Sequence, residues 1–104
     1  MRFALLASIL CVSFVSPVLA QGAPPDLVAA YRAGVAAAKC DLGLSSAKSS
    51  ELGDAVQRIE QRSGMGQNDL DALWAKTQDE ASADSAAFCG REAGNIDAVI
   101  SSAK

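Results

Sequence analysis

Residues 1–20 constrain this chain more than any other stretch, because they set the compartment in which the rest folds. Arg2 supplies a positive start, and residues 3–15 form an apolar run interrupted only by Ser8 and Ser13. Ser16-Pro17 ends the run before Val18-Leu19-Ala20, which carries the small residues a signal peptidase reads. The pattern predicts an exported chain, cut between Ala20 and Gln21. A spanning anchor would need about 20 apolar residues, and this run has 13. A lipidated Cys11 is disfavoured by the bulky Leu10 before it. Removal of the leader takes Cys11 with it and leaves Cys40 and Cys89 as the only cysteines, in an oxidising periplasmic or extracellular space.

The expected organisation is a leader at 1–20, a short flexible tether at 21–25 and one helical domain at 26–104. Eighteen of the 84 residues after the leader are alanine, the strongest helix former, and β-branched and aromatic residues are sparse. An all-α fold follows, a small bundle of three to four helices. Its bulky core is thin: 17 large apolar or aromatic side chains, with Tyr31, Trp74 and Phe88 the only aromatics. So few bulky side chains bury little apolar area for a domain of this length. Small exported domains meet such a shortage with disulfides. A Cys40–Cys89 bridge closes a loop of about 50 residues, which the chain-entropy account values at about 4 kcal/mol. The alternative, a redox or metal site, lacks both a CxxC motif and any histidine.

Pro24-Pro25-Asp26 is a good helix start. From there Leu27, Tyr31, Val35, Ala38 and Leu42 recur on one face. Ala29, Ala33, Ala36, Ala37 and Cys40 fill the other, so this first helix is expected to be central. Its small-residue rows (Ala29, Ala33, Ala37 and Ala30, Gly34, Ala38) suit close packing of an internal helix, with a homodimer as the alternative. The disulfide partner of Cys40 should come from a helix packed on the alanine side. Ser45 or Ser46 caps a second helix with Leu52, Ala55, Val56 and Ile59 as its stripe. Gly64 and Gly66 close it, and Asn68 is the expected cap of the third. Leu70, Leu73, Trp74, Thr77, Ala81, Ser85 and Phe88 fall within a sector of about 120°, which predicts one long helix over about 69–89. Asp84 is the awkward member near this stripe, marking a kink or an exposed edge. Gly90 and Gly94 loosen the chain before Asn95 caps a short last helix carrying Ile96, Val99 and Ile100.

Motifs that carry chemistry are scarce. Ser-x-x-Lys occurs at Ser45–Lys48 and Ser101–Lys104, the spacing of some nucleophilic serines. The first reads better as a helix cap and the second as a fraying terminus. Asp69/Asp71 and Asp79/Glu80 are sequence neighbours, unlike the opposed carboxyls of glycoside hydrolysis. No D-x-D-x-D-G calcium loop occurs, and no glycine loop precedes a Lys-Ser/Thr. Catalytic, cofactor and metal sites are therefore expected to be none, and the chain is expected not to be an enzyme. Without the leader the net charge is −4, with no basic run, which disfavours nucleic acid and anionic membranes as partners. No stable membrane insertion is expected after cleavage.

The remaining expectation is non-catalytic binding of another protein. Trp74 is a candidate contact that more often reads as core, and Gly64, Met65 and Gly66 form a candidate contact loop. In its leader, small size and the wide Cys40–Cys89 pairing, the chain resembles the small periplasmic acid-activated chaperones of enteric bacteria, with no motif shared between the cysteines. That resemblance implies holding of unfolded clients at acid pH. Inhibition of a cell-envelope enzyme through the 64–68 connection is a further alternative.

Overall fold

The computed structural model describes residues 23–104. The leader and its cut between Ala20 and Gln21 lie outside the described residues. Five helices follow one another: α1 (Pro25–Lys39), α2 (Ser46–Ser63), α3 (Gln67–Ala83), α4 (Ser85–Glu92) and α5 (Ile96–Ser102). Among the described residues there is no strand.

Helix α1 is the hub and packs against all four other helices. Its composition explains this position, since Leu27, Ala30, Ala33, Val35 and Ala36 are wholly buried and lie around most of its circumference. Pro25 sits at the first helical position, where its missing N–H removes no bond. The helix thus starts inside the Pro24-Pro25-Asp26 run. Ala23, assigned to the tether, already packs against the core.

The core has two parts. The larger gathers Leu27 and Tyr31 with the α2 stripe Leu52, Ala55 and Ile59, Leu70 and Leu73 of α3, and Ile96, Val99 and Ile100 of α5. The smaller holds Val35, Ala36, Ala81 and Phe88 beside Cys40. Trp74 and Leu42, both half-buried, pack against each part. Cys40 caps the end of α1 and is bonded to Cys89 in α4, with an S–S distance of 1.98 Å and Cα atoms 5.8 Å apart. The disulfide therefore pins α4, the helix packed on the Ala36 side, to the hub.

Local chemistry accounts for most boundaries. Ser45 Oγ accepts from the Lys48 amide at 3.1 Å and starts α2. Gly64 ends it at φ +71°, a left-handed conformation that side chains avoid. The third helix differs from the expectation in two ways. It starts at Gln67, with Gly66 rather than Asn68 in the capping position. It also stops at Ala83, because Asp84 leaves helical geometry (φ −151°, ψ 80°) and its carboxylate caps α4 through the Ala87 amide at 3.3 Å. One expected helix is thus two, and Ser85 is exposed at the start of the second. Asn95 stands where α5 begins, yet its side chain turns back to Glu92 and the Arg91 carbonyl instead of capping. Leu42 is reached by the 40–45 connection, since α1 has already ended at Lys39, and Ala38 is exposed rather than packed.

Candidate functional site

An open cleft of about 550 Å³ runs along α1 and α2, bounded by Trp74 of α3. Small residues make it. Gly34, Ala37 and Ala38 form its floor, while Leu52, Gly53, Val56 and Gln57 form the α2 wall. A second hollow of about 300 Å³ shares Gln57 and Glu60 with the first and continues past Met65 to Leu70. The first of the two, the trough, runs along α2 from Ser49 to Glu60.

Trp74 owes its place to Gly34. A Cβ there would stand 3.2 and 3.3 Å from two carbons of the indole, so glycine lets the ring lie on the α1 backbone without the few tenths of an ångström of yielding that any side chain would demand. Tyr31 meets the same indole edge-on, with centroids 5.2 Å apart and planes at 87°. The Tyr31 hydroxyl in turn donates to the Glu60 carboxylate. Burial raises the Tyr31 phenol well above its ordinary value, reinforced by that hydrogen bond and by the negative charges of Glu60 and Asp71. Gly34, Trp74, Tyr31 and Glu60 thus form one connected set that links the α1 side of the trough to its Glu60 end.

The other sequence candidates are dispersed. Gly64 and Gly66 are exposed at the α2–α3 turn, whereas Met65 is half-buried and packs against the main core. Ser45 is engaged in capping, and the Lys48 ammonium reaches Asp97 of α5 at 2.6 Å. Asp71 accepts from Gln67 at 2.8 Å. Glu80, read as plain surface charge, pairs with Arg32 at 2.9 Å and ties α3 to α1. Arg62 reaches Asp26 at 3.3 Å. The small-residue rows divide: Ala30 and Ala33 are covered by internal helices, but Gly34 and Ala38 open onto the trough.

Sequence reasoning missed Glu60 and the trough itself. The available signal was Gly53, a glycine in the middle of an otherwise strong helix. A Cβ at Gly53 would meet nothing within 4 Å, so packing inside this chain does not require it. Among the described residues no helix is long and apolar enough to cross a membrane. No family model matches the chain, and neither a curated protein nor a solved structure matches it.

Proposed function

We propose that this is an exported protein that acts without catalysis, by binding another protein through the trough between α1 and α2. The single observation supporting the reading is that trough: a mostly apolar, open cleft lined by Gly34, Ala37, Ala38 and Gly53 on otherwise well-packed helices. Ligand sites are concave and mostly apolar with few polar groups, and an open, elongated cleft suits a polypeptide better than a compact small molecule. Export rests on the leader, and the Cys40–Cys89 bridge is in keeping with an oxidising compartment.

The test is affinity purification of the tagged chain, cut after Ala20, from the periplasmic or secreted fraction of the producing cell, followed by mass spectrometry. A stoichiometric protein partner is expected. Recovery of none overturns the reading. A non-reducing mass measurement on the same sample checks the cut and the bridge.

Acid-triggered holding of clients is the second reading. It is favoured by three interhelical ion pairs, Arg32–Glu80, Lys48–Asp97 and Arg62–Asp26, each of which depends on a carboxylate that acid neutralises. All three are substantially exposed, so each contributes at most about 1 kcal/mol. Failure to suppress client aggregation at about pH 3, below the usual carboxylate range, ends this reading.

A further inference from the structure

We infer that the trough takes an amphipathic helical segment of its partner, with a lysine or arginine of that segment set over Glu60. The inference rests on the protein-binding reading above and specifies its chemistry.

Shape gives the first argument. The α2 wall from Ser49 to Glu60 spans eleven residue steps, about 17 Å at 1.5 Å each, which matches about three turns of a docked helix. Its lining residues, Ser49, Leu52, Gly53, Val56, Gln57 and Glu60, recur at the three- and four-residue spacing of a helix ridge. On α1 the lining carries nothing larger than a methyl group at Ala37 and Ala38, while the Trp74 indole covers Gly34. A helix laid beside Ala37 and Ala38 meets α1 with no bulky α1 side chain between them. Gly53 lowers the wall in the same way, which gives a reason for a helix-weakening residue that internal packing does not explain.

Charge gives the second. Glu60 is the only charged residue lining either hollow. It accepts one hydrogen bond, from Tyr31, and a carboxylate has acceptor sites to spare. Asp71 adds negative charge close enough to be felt at Tyr31. Among the described residues Glu60 makes no ion pair, and Lys48, Arg62 and Arg32 are engaged with Asp97, Asp26 and Glu80. An apolar trough with one uncompensated negative end selects an apolar helix face with a cation at the matching end, and rejects an acidic one.

The probe is a synthetic amphipathic peptide of about 12 residues, with leucine and alanine on one face and a single lysine placed to meet Glu60. A counterpart carries glutamate in place of that lysine. Trp74, the only tryptophan in the chain, reports binding by its fluorescence. The lysine peptide is expected to bind saturably, the glutamate peptide about tenfold or more weakly. Glu60→Gln keeps an acceptor for Tyr31 and should lose most of that discrimination. A Cβ at the exposed Gly53 meets nothing within 4 Å, and Gly53→Arg places bulk and positive charge in the trough, so binding should drop at least about tenfold while the thermal melt is no lower than wild type. No saturable response from the wild type, equal affinity for both peptides, or undiminished binding by Gly53→Arg overturns the inference. In affinity purification, a partner retained by Gly53→Arg removes the trough but leaves protein binding standing. A wild-type chain that captures nothing removes protein binding itself.

Discussion

Gly34 and Gly53 are both interior helix glycines, and replacing each with alanine separates what the trough requires from what the fold requires. In isolation either change gains about 1 kcal/mol, because alanine restricts the unfolded chain more and favours the helix. At Gly53 the new methyl meets nothing within 4 Å, so the full gain should appear. At Gly34 it lies 3.2 Å and 3.3 Å from the indole, a few tenths of an ångström inside ordinary contact. Trp74 has little room to yield, since Tyr31 abuts it edge-on and is itself held by Glu60. Overpacking of this kind costs about 1–3 kcal/mol, which offsets the propensity gain and leaves Gly34→Ala less stable than wild type by about 1 kcal/mol. The two variants should differ by about 2 kcal/mol, and a domain of this size moves roughly 4–8 °C per kcal/mol in Tm. Thermal melts by circular dichroism measure the difference. Trp74 emission should shift in Gly34→Ala and stay unchanged in Gly53→Ala. If both substitutions raise Tm equally, the seating of the indole on α1 and the claim that Gly34 exists for it are both refuted.

Three more outcomes follow from particular contacts. Replacing Cys40 and Cys89 by serine should cost about 4 kcal/mol by the chain-entropy account, read as a lowered urea midpoint with wild-type helicity retained at low denaturant; an unchanged midpoint counts against the bridge as the device that offsets the thin core. Tyr31 has a folded pKa above its unfolded value, so the native state keeps a proton that the unfolded chain gives up. Its contribution is therefore complete below about pH 10 and falls by up to about 1.4 kcal/mol per pH unit above it. Tyr31→Phe should be less steep over that alkaline window, and identical slopes would contradict the assignment. Asp84→Ala removes the α4 cap and should lower stability by about 1 kcal/mol, whereas Asp84→Asn should recover most of it.

Most of the helical architecture was legible in the sequence because each helix of this small domain must turn its few bulky residues toward α1. Leu52, Ala55 and Ile59 announce the inner face of α2 by spacing alone, and all three are buried. The alanine side of α1 pointed to the helix that supplies Cys89. The break at Asp84 was harder to read because Leu70 to Phe88 keep one angular sector across it. Periodicity reports which way side chains face, not whether the axis is continuous. The polar Asp84 near that stripe was the sign, and its capping bond is the cause. The trough was least legible. It is defined by volume that side chains do not fill, and Gly34 and Gly53 look alike in sequence although one lies against an indole and the other faces open space. Glu60 passed for a polar-face residue because its partner, Tyr31, is 29 positions away.

The position of the disulfide also determines which breaks in the backbone the molecule survives as one piece. Cys40 and Cys89 enclose α2 and α3 entirely within a covalent ring, while α5 hangs outside it on packing against α1 and α2. A protease that cuts the 41–45 or 64–66 connection produces two chains that remain tied, and both keep their place against the hub. A cut at the 93–95 turn has no such protection and releases α5, taking Ile96, Val99 and Ile100 out of the main core. Against proteolysis, the safeguarded part of this protein is the part that carries the trough.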